Sequence, residues 1–298
     1  MSHRIGIDLG GTKTEIVVLG QDGGPLLRRR RPTPAGYEAA LRGIADLVAE
    51  AEQETGPGAT VGVGIPGCIS PATGLVKNAN SNALNGQPFD RDLAGLLGRA
   101  VRVANDANCF ALSEAMDGAA AGCAVVFGVI LGTGAGAGIV VNGGILQGRH
   151  SLAGEFGHIP LPWPRPGELP LRSCWCGQTG CLELYLAGPS LARECDGPGY
   201  TDAGTLPARA EAGDEAARAA LARHADRLAR AFAVITNLLD PDCIVLGGGV
   251  SNMEHLYATL PGLMRPYVFS DHVAPRIVKA KHGDSSGVRG AAWLWPAT

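Results

Sequence analysis

Residues 5–18 read IGIDLGGTKTEIVV, and residues 126–141 read VFGVILGTGAGAGIVV. Each is an apolar run, a Gly/Thr-rich turn and a second apolar run, the pattern of two antiparallel strands joined by a tight glycine loop. Glycine lets a backbone approach a phosphate closely, and amide and hydroxyl donors can then hold it. Two such loops in one chain predict two halves facing one nucleotide, and so an ATP-using enzyme.

The chain has 298 residues, 46% hydrophobic and 18% charged, which is enough for a large core and long enough for two domains. A net charge of −3 points to neither nucleic acid nor an anionic membrane surface. The run Arg28–Arg31 reads as a solvated strand face. The first residues lead straight into a strand with no signal-peptide pattern, and no apolar stretch approaches the ~20 residues of a membrane span. A cytoplasmic protein is expected. Its eight cysteines should be reduced, so clustered ones read as metal ligands rather than disulfides.

Outward from the first loop, strands run over 4–31 with a hairpin turn at 20–25. Tyr37, Leu41, Ile44, Leu47, Val48 and Ala51 share one face of a helix over 36–54. A buried strand over 60–70 ends in a Gly-Pro turn, 71–88 is a loop, and 90–98 is a short helix with Asp90 as N-cap. A strand over 101–109 leads into a helix reaching Ala120. The second half repeats the order, with strands at 124–130 and 136–147. A Pro-rich loop and a Cys/His-rich segment occupy 154–183, and 207–213 reads as the tail of a linker. A helix over 214–239 is capped by Asp214, a strand over 242–251 ends in glycines, and 284–295 is a helix. The alternation predicts an α/β chain with two sheets.

The first loop offers Gly10, Gly11, Thr12 and Lys13 to a phosphate, and Asp8 as a carboxylate for Mg²⁺; the GxxxxGK[ST] pattern is absent. The second offers Gly132, Thr133, Gly134 and Gly136, and its many glycines weaken a strand pair enough to imply close backbone approach. Gly247, Gly248 and Gly249 follow a strand and read as a platform for the adenosine end of the nucleotide, or as a plain strand-to-helix turn. Asp106, between a strand and a helix, reads equally as a base for phosphoryl transfer to an alcohol and as an N-cap; the two roles are compatible. His158, Cys174, Cys176 and Cys181 fit a closed Cys₃His zinc site, hence a structural metal. Glu155 and Glu183 flank that segment, where they are either acceptors for sugar hydroxyls or surface charge.

DLGGTK, NDAN, LGTGAGAG, GEFGH and CxCGxxGCxE occur in that order, and with them the chain resembles the ROK family of bacterial sugar kinases from Ile5 to about Trp295. The resemblance implies the two-domain α/β fold of sugar kinases, actin and heat-shock ATPases, with ribonuclease H-like halves, an interdomain cleft and a small zinc knuckle. It implies a small domain over 1–118 and a large one over 119–283, with the helix 284–298 packing back on the first. It makes Asp106 the catalytic base, and Asn80, Asn105, Glu155, His158 and Glu183 contacts of the sugar, with Asn78 and Asn82 beside Asn80. It also implies ATP, Mg²⁺, a structural Zn²⁺ and a homodimer. Repressors of the family carry an added N-terminal DNA-binding segment, which is not expected here.

ROK kinases act on glucose, fructose, mannose, N-acetylglucosamine and N-acetylmannosamine. VKNANSNALNGQPFDRDL, GHIPLPWP and AKHGDSSGVRGAAWLW look most like the fructokinase (manno-fructokinase) branch. NDANCFALSEA and CGQTGCLE are also similar to the N-acetylglucosamine kinase branch. The expected activity is therefore phosphorylation of the C6 hydroxyl of fructose, with mannose secondary. The alternative is an N-acetylglucosamine kinase or glucokinase, and a non-enzymatic sugar-responsive regulator is the reading from another class.

Overall fold

The first quoted stretch forms β1 (Arg4–Leu9) and β2 (Lys13–Leu19), antiparallel, and β3 (Pro25–Pro32) extends the meander. The computed structural model describes residues 3–79, 83–272, 276–283 and 286–296. Helix α1 (Tyr37–Thr55) buries Leu41, Ile44, Leu47, Val48 and Ala51 along one face. It returns the chain to β4 (Thr60–Ile65), parallel to β1. A small hairpin, β5 (Cys68–Ile69) and β6 (Val76–Lys77), and α2 (Phe89–Leu97) lead to β7 (Val101–Asn105), parallel to β4. The sheet order is β3-β2-β1-β4-β7. Helix α3 (Asp106–Met116) follows β7 with no intervening loop.

The second half repeats this plan. Strands β8 (Val125–Leu131), β9 (Ala135–Val141) and β10 (Gly144–Ile145) form an antiparallel meander. Helices α4 (Glu183–Leu186), α5 (Gly188–Asp196), α6 (Leu206–Glu211) and α7 (Glu215–Leu239) then precede β11 (Cys243–Gly247). Helix α8 (His255–Met264), β12 (Arg276–Lys279) and α9 (Ser286–Ala292) complete the chain. The order β10-β9-β8-β11-β12 matches the first sheet position for position.

Helices α3 and α9 pack against each other and against both sheets. Phe110, Ala111, Leu112 and Ala115 of α3 join Val126, Val140 and Val245, while Val288 and Ala292 of α9 pack on Val17 and Leu19. The contacts are backbone to backbone: a Cβ on Gly290 would lie 1.6 Å from the Cys109 carbonyl oxygen, and one on Gly62 would lie 1.9 Å from that of Ala291.

Several boundaries differ from expectation. Residues 206–211 are helix rather than linker, because Pro207 occupies the first turn, where its missing N–H costs nothing. Asp90 is not the cap of α2; Pro88 holds that position and Asp90 lies in the first turn. The strand expected over 136–147 breaks at Asn142-Gly143, both at positive φ, into a tight hairpin turn. Helix α3 ends at Met116 rather than Ala120, and α9 ends at Ala292, before residue 295. Asp214 caps α7 as expected, accepting from Ala216 and Ala217 N–H.

The packing predicts opposite outcomes for two Gly→Ala changes. Gly290→Ala should lower the melting temperature sharply, because overpacking a fixed contact costs about 1–3 kcal/mol or more. Gly95→Ala, where a Cβ meets nothing within 4 Å on the exposed side of α2, should raise it slightly. Thermal melts of the two variants check both signs.

Candidate active site

Strand β7 delivers Asn105 and Asp106 to the start of α3. Asn105 is the cap: its Oδ1 accepts from Ala107 N–H at 2.9 Å and Asn108 N–H at 3.4 Å, and its Nδ2 donates to Gly67 O at 3.1 Å. Asp106 is therefore not the N-cap. It is the first helical residue, accepts its neighbour Ala107 N–H at 2.8 Å, and is exposed. Burial is the main force raising its carboxyl pKa. The Ala107 N–H and the Asn105 side chain oppose the rise, and Glu155 adds to it.

Asp8 stands at the end of β1, where burial and then the charges of Asp106 and Glu15 push its pKa up to about 6, against Lys13 and Arg30. Two carboxylates that disfavour each other's charge, beside Lys13, make a place for a divalent cation bound through oxygen. The adjoining turn is closed by Gly10 N–H donating to Lys13 O at 3.0 Å. It is braced by Thr33, whose N–H donates to Thr12 O at 3.0 Å and whose hydroxyl donates to Gly10 O at 2.7 Å. Gly11, Thr12 and Lys13 are left exposed. The arginine run on β3 alternates: Arg28 and Arg30 pair with buried Glu15, and Arg29 and Arg31 with Glu50 of α1.

The second loop is held from two sides. Gly188 N–H donates to Gly132 O at 2.9 Å, and Gly248, at φ +78°, comes so close that a Cβ would lie 2.4 Å from Leu131 O. The turn Gly247–Gly249 thus sits on the loop Gly132–Gly134, and beyond it a cavity of about 750 Å³ opens between α6, α7 and α8. Gly247 has a packing role, since a Cβ there would strike the Phe110 ring, whereas one on Gly136 would meet Ala107 in ordinary contact.

Segment 154–183 lies along β9. A Cβ on Gly157 would fall 2.0 Å from Ala135 O, so the short 3₁₀ turn Phe156–His158 is pressed onto the strand. Its far side is tied to α7 by fully buried Arg230, which donates to Pro162 O, Trp163 O and Glu168. The ligand atoms of His158, Cys174, Cys176 and Cys181 lie within 4.8 Å of one another. Cys176 and Cys181 Sγ are 3.5 Å apart, and His158 Nδ1 is 3.8 Å from Cys174 Sγ. A tetrahedral zinc site has ligand–ligand edges of about 3.5–3.8 Å, so the donors present fit the ion. Glu183 Oε2 accepts from Ala135 N–H at 3.1 Å and Oε1 from Trp175 Nε1–H at 2.9 Å.

The fold thus gathers Asp8, Asp106 and Glu155 within electrostatic reach and ties Glu183 to the second loop. Asn80 and Asn82 lie outside the described residues, and Asn78 adopts a positive φ. Thr33, Gly67 and Trp175 escaped the sequence reading. Only the IPG turn before Cys68 signalled any of them.

The ROK family sequence pattern matches residues 4–298. The N-acetyl-D-glucosamine kinase of Yersinia enterocolitica is 41% identical over 97% of this chain and 98% of that protein, and that of Escherichia coli is 42% identical over the same shares. The ROK hexokinase of Thermus thermophilus superposes with a TM-score of 0.86 at 32% identity, covering 98% of this chain and 97% of its own. A ROK family glucokinase from Streptomyces griseus, solved with glucose and AMPPNP, superposes with a TM-score of 0.77 at 28% identity, covering 98% and 99%.

A carboxyl whose folded pKa is raised to about 6 favours the protonated native state. Its stabilising contribution is full below its unfolded pKa and is lost as pH rises through about 6. Asp8→Asn should therefore raise the melting temperature of the ligand-free protein at pH 7.5 relative to wild type, with a smaller gain at pH 4.5. An equal difference at both pH values would refute the strained carboxylate.

Proposed function

The chain belongs to the ROK family and is a sugar kinase, and from that premise we propose that it transfers the γ-phosphoryl group of ATP to the 6-hydroxyl of N-acetyl-D-glucosamine. The observation that carries the sugar is 41–42% identity to N-acetyl-D-glucosamine kinases over almost the whole of both chains. A cavity of about 270 Å³ beside Asn105 supports it. Asp90 and Asn108 line that cavity, each with a buried oxygen that has no partner among the described residues, so a substituent beyond a bare hexose has polar groups to meet.

Of the sequence segments that favoured fructose, VKNANSNALNGQPFDRDL holds Asn80 and Asp90 and GHIPLPWP holds His158, all on the proposed sugar side, and these stretches do not by themselves separate one hexose from another. Residues 280–295 include α9, which packs between the sheets, and GHIPLPWP leads into the loop clamped by Arg230. Substrate preference belongs to side chains that touch substrate, and Val288 and Ala292 of the last segment carry packing instead.

Asp106 accepts the proton of the attacking hydroxyl. Because Asn105 supplies the cap, the Asp106 carboxylate is left to the substrate. Its raised pKa makes it a stronger base. The sugar is oriented by Asn105, Glu155, His158 and Glu183, with His158 offering Nε2 because Nδ1 faces the cysteines. Lys13 and the loops at Gly10–Thr12 and Gly132–Gly134 meet the phosphates, and the Gly247–Gly249 turn with the cavity beyond it receives the adenosine end. Asp8 would hold Mg²⁺, which neutralises phosphate charge. Zinc on His158, Cys174, Cys176 and Cys181 would cross-link the knuckle and fix His158. Positioning and electrostatics account for nearly all of such catalysis.

A coupled ADP-release assay with MgATP should give the highest kcat/KM on N-acetylglucosamine among fructose, mannose, glucose and N-acetylglucosamine. A maximum on fructose would restore that sugar. Asp106→Asn should keep sugar binding and lose about 10²–10⁴ of kcat, and near-normal turnover would remove Asp106 from its role.

Metal analysis should find about one zinc per chain. Cys176→Ser should lower both zinc content and melting temperature, and a metal-free protein of unchanged stability would refute the site.

A further inference from the structure

We infer that Trp175 is a specificity and positioning residue of the sugar site: its indole N–H holds Glu183, and its open ring face stacks on the C–H face of a bound pyranose. The inference rests on the proposed sugar contacts of Glu183 and His158. Trp175 stands between two cysteines of the knuckle and is 73% exposed, more than any other tryptophan among the described residues. An indole left in water is costly, since aromatic side chains ordinarily bury most of their surface. This one is nonetheless fixed at two points. Its Nε1–H donates to Glu183 Oε1 at 2.9 Å, and its ring meets the His158 ring edge to face, with centroids 5.1 Å apart and planes at 85°.

The other oxygen of Glu183 accepts from Ala135 N–H, directly after the second glycine loop. One carboxylate therefore links the indole to the backbone that follows the second glycine loop, and the largely exposed Trp175 lies beside two proposed sugar contacts. A fixed aromatic plane next to hydroxyl-binding groups suits a pyranose, whose hydroxyls point outward and whose C–H groups form an apolar face.

The test is a titration of the zinc-loaded protein with each hexose, without ATP, following tryptophan emission and its quenching by acrylamide. Sugar should shift wild-type emission to the blue and protect one tryptophan. Both changes should vanish in Trp175→Phe and Trp175→Ala, whose zinc content should match wild type. In steady state, Trp175→Ala should raise the sugar KM about three- to tenfold with the ATP KM unchanged. Trp175→Phe, which keeps a ring but not the donor, should recover part of that loss. A sugar-induced shift that persists in Trp175→Phe, or a wild-type sugar KM in Trp175→Ala, would overturn the inference. If another hexose proves to be the substrate, the proposed sugar fails alone, and the same titration with that hexose decides the role of Trp175.

Discussion

The structure depends on one close contact, Gly290 of α9 against the backbone of Cys109 in α3, with no side chain between them. That contact lets two helices fit side by side between two sheets. The buried Glu114 carboxylate reinforces it from the other end of α3, accepting from Ala119, Lys281 and His282 N–H and from the Ser286 hydroxyl at 2.8–3.1 Å. Hydrogen bonds to a buried charge are among the stronger ones a fold can make. The helix that begins with Asp106 is thus held along its length by the segment that carries the chain back to the first sheet. Asp106 stands where it does because this sandwich leaves α3 no freedom to slide.

Charge is distributed to the same end. The arginines are consumed by structure: Arg28 and Arg30 by Glu15, Arg29 and Arg31 by α1, Arg227 and Arg230 by Glu168 and Glu194. Burial would raise the Glu168 pKa, yet the hydrogen bonds from Arg230, Arg165 and Arg227 hold it down to about 2. At Asp8 burial outweighs Lys13 and Arg30, and at Asp106 it outweighs the Ala107 N–H and the Asn105 side chain, so both pKa values rise. Such carboxylates would gain from a cation and from a hydroxyl proton, the two partners that the proposed phosphoryl transfer supplies.

The knuckle and the second loop form one assembly. Gly157 presses the His158 turn onto β9, Glu183 bonds to Ala135 where that strand begins, and Arg230 anchors the far side of the segment. The groups proposed to face sugar and phosphate therefore share one support.

The alternation of apolar runs, the two glycine loops, the face of α1, the Asp214 cap and the Cys/His spacing were legible in the sequence, because each is a local pattern set by backbone period or by neighbours a few residues apart. What only the tertiary structure decided depends on partners far along the chain. Asn105 rather than Asp106 caps α3, because the local backbone angle and Gly67 O settle which side chain turns inward. Gly247 lacks a side chain because the Phe110 ring stands against it. Glu183 and Trp175 pair across the knuckle. Composition and spacing name the residue types that can do the chemistry; which of them are left free to do it follows from how the rest pack.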